Sequence, residues 1–217
     1  MRTIFDSTLL SAELAIRMSS RSAEQLKRTQ QSAAASKVVE GESMLVLAGD
    51  RNAALKFLTD WFSRDVHEYL KICDPYFGPN DLEVLRLLAS VNPVCKVQIL
   101  TSKKHQTQEG VQVPWEDAYR AHWRVQISDQ DPPDTDINIV GVEPGGGLPV
   151  HDRWWLTKGS GIRVGTSFNS LGRKRDSEIS LLSPEESALR EREVDQYIFR
   201  HNRRHNGERV RYESFTL

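Results

Sequence analysis

The chain has 217 residues, of which 38% are hydrophobic and 27% charged, and its 29 basic and 30 acidic residues leave a formal net charge of −1. That length supports one good-sized core, or one core with a helical appendage, and the charge balance excludes a uniformly basic nucleic-acid coat. No apolar run reaches bilayer length and the N-terminus lacks a charged-then-apolar signal pattern, so a soluble cytoplasmic protein that does not enter a membrane is expected.

Residues 1–40 read as an N-terminal helical extension or linker, with a polar helix from Ser7 to about Lys37 whose apolar positions thin out toward its end. So little apolar surface predicts packing at a domain edge or on a partner, or a connector to a larger parent protein. Residues 41–200 form the expected main domain. Met44 to Ala48 is a short apolar run closed by Gly49-Asp50, which suits a buried strand and turn. Asn52 to Asp65 carries Leu55, Leu58, Trp61 and Phe62 at helical spacing. Tyr69 to Cys73 is a second strand, followed by the turn residues Asp74-Pro75 and Gly78-Pro79-Asn80-Asp81. Asp81 is placed to cap a helix over Leu82 to Ser90.

Lys96 to Leu100 reads as a third strand, Pro114 to Arg124 as a helix with proline near its start, and Ile137 to Val142 as a fourth strand. Pro144-Gly145-Gly146-Gly147 then leads into a strand containing His151. Ile162 to Val164 and Ile179 to Leu182 follow as strands, and Pro184-Glu185-Glu186 opens a final helix to about Phe199, with acid at its start as the helix dipole favours. Residues 201–217 read as a basic, loosely held C-terminal tail. Strands alternating with helices at this spacing predict an α/β sandwich with a mixed, mostly parallel sheet flanked by helices. Cys73 and Cys95 lie in apolar runs without partners at metal-ligand spacing, so buried free thiols are expected, with no metal and no cofactor.

The chemistry concentrates in His151-Asp152-Arg153, then Gly165-Thr166-Ser167-Phe168-Asn169, then Glu178. Cleaving a phosphodiester without a metal requires a nucleophile, cationic stabilisation at phosphorus, donors for the non-bridging oxygens and a group that orients the nucleophile. His151 supplies a nucleophilic imidazole, and Arg153, two residues along a strand, is expected on the same face. Thr166, Ser167 and Asn169 offer phosphate-binding donors, while Glu178 is the expected orienting carboxylate. Arg173, Lys174 and Arg175 lie between Asn169 and Glu178, where they suit salt-sensitive contacts with a nucleic-acid backbone.

This order and spacing resemble the HxK…GSxxN signature of the phospholipase D-like superfamily, over roughly residues 44–183. The resemblance implies that superfamily's α/β fold, a phosphohistidine intermediate, and a second histidine acting as general acid. It also implies two motifs per active site; this chain carries one, so the second is expected from another copy across a two-fold axis. Arg153 stands in place of the usual lysine, Lys158 in place of the aspartate, and the turn before Ser167 is one residue longer. The expected function is therefore a dimeric phosphodiesterase, of the metal-independent nuclease type and acting on nucleic acid. The alternative is a catalytically degenerate module that binds a phosphate-bearing ligand, lipid head group or protein partner.

Other histidines fit the pattern less well. His122-Trp123-Arg124 ends a predicted helix and lacks the downstream glycine and Ser-x-Asn pair, so it reads as a chance match. Of Trp154 and Trp155, which alternate faces, one is expected in the core and the other at the site mouth or an interface.

Overall fold

The computed structural model describes residues 43–217, so the expected N-terminal helix lies outside the described residues. β1 (Ser43–Val46) and α1 (Arg51–Asp65) precede β2 (Tyr69–Cys73), a 3-10 turn at Pro79–Asp81 and α2 (Glu83–Ala89). β3 (Lys96–Ser102) runs directly into α3 (Lys103–Gln108), and α4 (Trp115–His122) continues as a π-helical turn over Trp123–Ile127. Next come β4 (Thr135–Val142), β5 (Trp154–Thr157), β6 (Ser160–Val164), a 3-10 turn at Phe168–Ser170 and β7 (Ser177–Leu181). α5 (Pro184–Ile198), β8 (Arg204–His205) and β9 (Glu208–Thr216) complete the described chain.

All these strands join one nine-stranded sheet, in the order β1-β7-β6-β5-β2-β3-β4-β9-β8. The mixed sheet is as expected, but it is not mostly parallel. Only β2–β3 and β3–β4 pair in parallel, and the remaining neighbours are antiparallel. The reason lies in the connections. A parallel pair needs a crossover of a dozen or more residues, and the connections carrying α2, and α3 with α4, return the chain to place β3 beside β2 and β4 beside β3. β5 and β6 are joined by the two-residue turn Lys158-Gly159, with glycine at φ 73°, and such a turn permits only a hairpin.

Alternation along β2 sets the two layers. Leu70 and Ile72 face a larger core filled by Leu58, Trp61 and Phe62 of α1, Leu85 and Leu88 of α2 and Tyr119 of α4. Cys73 faces a smaller core with Val194, Tyr197 and Ile198 of α5. Both tryptophans of β5 are buried, Trp155 stacked on Phe62 in the larger core and Trp154 in the smaller one, so neither lines a site mouth. Arg190 of α5 lies over the Trp154 ring at 4.8 Å. Ser183 caps α5 by accepting the Glu186 N–H at 3.1 Å.

Several local expectations change. β1 is a largely exposed edge strand rather than a buried one, with only Val46 in the core. The segment read as a loose tail is not loose, because β9 pairs with β4 from Asp136↔Thr216 to Val142↔Val210. Its alternating pattern is obscured in sequence by charged residues on the solvent side, which a strand covered on its outer side only by the two-residue β8 tolerates. Cys73 and Cys95 are buried free thiols.

One charge lies inside the α5 layer. The Lys71 ammonium donates to Glu191 and Asp195, both at 2.7 Å, and Tyr69 Oη donates to the same Glu191 carboxylate at 2.6 Å. Lys71 is 6% exposed, so its removal leaves two adjacent carboxylates facing the sheet without their cation. Lys71→Met is expected to lose about 3–5 kcal/mol in urea unfolding, although methionine matches the aliphatic volume of lysine.

Candidate functional site

β2 and β3 run in parallel and end together at Cys73 and Ser102, while β5, antiparallel to β2, begins beside those ends. The loops leaving β2 and β3 and the segment entering β5 therefore meet on one edge of the sheet, the edge where open α/β sheets gather ligands. A cavity of ≈ 590 Å³ opens there, walled by Tyr76, Asp81, His105, Arg153, Ser167 and Asn169, with Thr166 and His122 also on its surface.

The loop after β2 is held by a buried polar network. Ser102 Oγ donates to Pro75 O at 2.7 Å, Thr101 Oγ1 to Phe77 O at 2.9 Å and Gln106 Nε2 to Phe77 O at 2.7 Å. Tyr119 Oη donates to Gln106 Oε1 at 2.9 Å, which fixes the orientation of that amide. The same Ser102 hydroxyl accepts the His105 N–H and caps α3. The network fixes Tyr76, whose N–H donates to Asp74 Oδ1 at 2.8 Å.

The opposite wall is the turn Ser167–Ser170. Phe168 points inward and packs on Trp155, and the Arg51 guanidinium covers its ring at 4.5 Å. Arg51 Nη1 also donates to the carbonyls of Phe168 (2.7 Å) and Leu171 (3.1 Å). Gly172 closes the turn at φ 64°, and a Cβ there would lie 2.6 Å from the Arg51 backbone, so no larger residue fits. Burying Phe168 leaves its neighbours Ser167 and Asn169 on the cavity side.

Asp81 joins the two walls. Its carboxylate accepts the Asn169 N–H at 2.7 Å and the Gly78 N–H at 3.0 Å. It does not cap α2, whose N-cap is Leu82 without a side-chain hydrogen bond. Burial pushes the Asp81 carboxyl up to about 7 against the opposing effect of those two N–H donors. Burial also raises Asp74, offset by the Tyr76 N–H, the Arg153 charge and the Ser167 hydroxyl.

Arg153 carries the cavity's cation. Its Nε lies 3.3 Å from Asp74 Oδ1, near enough for ion pairing but without hydrogen-bond alignment, and Nη1 donates to Gly165 O at 3.2 Å. The guanidinium lies over the Tyr76 ring at 4.8 Å. Nη2 makes neither a hydrogen bond nor an ion pair among the described residues, and Nε has the ion-pair contact alone.

The structure thus gathers Arg153, Thr166, Ser167 and Asn169 around one cavity. His151 is exposed and lies in the irregular segment before β5, so the strand rule that places residues i and i+2 on one face does not govern it. His151 is not among the residues that wall the cavity. Glu178 is exposed on β7, where its carboxylate accepts the Ser180 hydroxyl at 2.6 Å, and no hydrogen bond joins it to His151 among the described residues. Its neighbour Ile179 turns into the larger core, which directs Glu178 to the other face of the sheet. Lys158 is remote from the cavity, in the β5–β6 turn and paired with Glu68 at 2.8 Å.

Arg173 borders an adjoining cavity of ≈ 470 Å³ with Arg86 and Glu83, and this cavity shares Asn80, His122 and Asn169 with the first. Lys174 and Arg175 are exposed in the turn that follows. In the sequence, Asp74 and Asp81 read as turn and cap residues and His122 as a chance match, whereas the structure brings Asp81, His122 and His105 to the cavity wall. Asp74-Pro75-Tyr76 and the Asp81 turn follow a strand directly, which was the available signal. His105 carried none.

No family model matches this chain, and no curated protein matches its sequence. Among solved structures it is similar to TrmBL2, an archaeal chromatin protein with a novel mode of DNA binding, at a TM-score of 0.40 and 8% identity over 89% of this chain. It is also similar to NucT from Helicobacter pylori, at a TM-score of 0.48 and 14% identity over 73% of this chain and 95% of that one. A third similar structure is phosphatidylserine synthase from Haemophilus influenzae Rd KW20, at 0.44 and 16% over 78% of this chain. The chain spans 66% of the length of TrmBL2 and 39% of that synthase, less than two thirds of each.

The raised Asp81 carboxyl has a testable consequence. Its native value of about 7 exceeds the ordinary 3.8, so folding takes up a proton and stability falls as pH rises from about 4 through about 7. Asp81→Asn abolishes this titration but cannot accept both N–H groups, because its amide nitrogen is a donor. The variant is expected to be less stable than wild type by about 1–3 kcal/mol at the acid end. That gap narrows toward pH 7.5 when both proteins are unfolded in urea across the range.

Proposed function

We propose that the cavity binds the phosphate of a phosphodiester, and that the protein is a phospholipase D-like phosphodiesterase of the metal-independent nuclease type. The observation that carries this reading is the convergence of Arg153, Thr166, Ser167 and Asn169 on one cavity, backed by the buried Asp74 and Asp81. A guanidinium whose Nη2 has no partner among the described residues, two hydroxyls and a side-chain amide form a donor set for non-bridging oxygens. Asp74 and the Gly165 carbonyl hold the fork in place before any anion arrives, so little ordering cost remains for binding. The buried carboxylates hold the walls, and the raised Asp81 carboxyl opposes less negative charge to an incoming anion.

In this reading His151, exposed two residues before Arg153, is the nucleophile. The adjoining cavity favours nucleic acid over a lipid head group, since its two arginines, Arg86 and Arg173, share the single carboxylate Glu83 and leave net positive charge for a neighbouring phosphate of a polymer. A homodimer would present a second His151 across its two-fold axis.

A second reading follows from the placement of His151 outside the cavity wall: a module that binds the phosphate-bearing ligand without turning it over. One experiment separates the two. Wild type, His151→Ala and Arg153→Ala are incubated with single- and double-stranded DNA and RNA in excess chelator, and binding is measured in parallel. The phosphodiesterase reading expects cleavage in chelator that His151→Ala abolishes. Arg153→Ala is expected to lose about 1.5–3 kcal/mol of binding, on the order of 10- to 150-fold in Kd. Binding without cleavage, retained by His151→Ala and lost by Arg153→Ala, selects the module. Cleavage that requires added metal, or equal cleavage by wild type and His151→Ala, removes the histidine mechanism.

A further inference from the structure

Within the phosphodiesterase reading, we propose that His105 is the acid–base catalytic residue of this cavity, so that the second imidazole comes from the same chain. The placement of His105 carries the inference. It sits in α3, immediately beyond the end of β3, and its side chain walls the same cavity as Arg153, Ser167 and Asn169. Tyr76 links the two groups, with the Arg153 guanidinium over its face at 4.8 Å and the His105 ring edge-on at 5.7 Å between centroids. Ser102 fixes the first turn of α3 by accepting the His105 N–H, so the ring projects from a capped helix start rather than a free loop.

The groups that act on the imidazole are Glu109 at the C-terminal cap of its own helix, Asp74 from the loop after β2 and Arg153 from the segment before β5. Asp81, another ionisable group, lies on the same cavity wall. Burial holds the free ring below the usual histidine value. A bound phosphate opposes that effect, because its negative charge favours the imidazolium. The anion that needs protonation thus brings about the protonation of its own donor.

The proton balance then closes within one chain. His151 attacks phosphorus, forming a P–N bond and breaking the P–O bond to one ester oxygen, which takes a proton from the His105 imidazolium. Neutral His105 next accepts a proton from water as the water oxygen bonds to phosphorus and the P–N bond breaks. One ester bond is hydrolysed by one water, and both rings return to their starting states.

Two measurements on the full chain test this. The first compares wild type with His105→Gln on a dithymidine phosphodiester and on bis(p-nitrophenyl) phosphate. Losing a proton donor is expected to lower cleavage of the dinucleotide by about 10²–10⁴-fold, and that of the nitrophenyl ester, whose leaving group needs no proton, by less than about tenfold. Equal losses on both substrates, or none, would overturn the proposal while leaving the phosphodiesterase reading intact.

The second follows the histidine ring protons by NMR as inorganic phosphate is added. The His105 pKa is expected to rise with phosphate, and Arg153→Ala is expected to remove that rise. Phosphate binding that depends on Arg153 but leaves His105 unmoved would refute the proposal alone. Phosphate binding without any turnover by wild type would overturn the acid–base role together with the phosphodiesterase reading.

Discussion

The Asp81 carboxylate is the joint on which this site depends. It reaches one way to the Gly78 amide and the other to the Asn169 amide, so two turns more than eighty residues apart share one buried anchor. A carboxyl group so far removed from water is costly as an anion, and its pKa rises accordingly. The cost is tolerated because two otherwise unpaired backbone donors are satisfied by the same group. Without that joint the Ser167–Ser170 turn would lose its Asn169 tie to the loop after β2 and depend more heavily on Arg51, on the burial of Phe168 and on the Ser167 hydroxyl beside Asp74.

The second organising feature is the use of buried anions behind a cation. Arg153 is held by Asp74 and Gly165 and lies over Tyr76, so its guanidinium is oriented by the fold and not by a ligand. This is a task for which arginine suits better than lysine, since a planar fork can meet a carboxylate, a carbonyl and a ligand at once. The departure from the lysine of the resembled motif therefore agrees with its surroundings. Lys158, the other departure, sits in a hairpin turn with Glu68 and bears on β5–β6 geometry instead of the cavity.

The two faces of the sheet divide the work. The larger core, with α1, α2 and α4, sets the cavity walls through Phe168 and Tyr119. The other face holds α5 through the Lys71 cluster and the smaller core. Trp154 and Trp155, adjacent in sequence, are divided between these two layers.

Most elements between β1 and α5 were legible from periodicity and turn chemistry, because Leu70 and Ile72, the helix of Trp61 and Phe62, and the Ser183-Pro184 start each satisfy a local rule. The donor set Arg153, Ser167 and Asn169 was legible too, since residue type and spacing are sequence properties. Strand direction was not, because it depends on which connection carries a crossover helix and which is a two-residue turn such as Lys158-Gly159. β9 was hidden because its partner β4 lies some seventy residues away and its exposed side is charged. His105 and Asp81 came to the cavity, with Asp74 behind Arg153, through the parallel pairing of β2 with β3, which sets the ends of two strands separated by the α2 crossover side by side. Local chemistry is thus written in the order of residues, whereas the company each side chain keeps is set by long-range pairing that no short window of sequence contains.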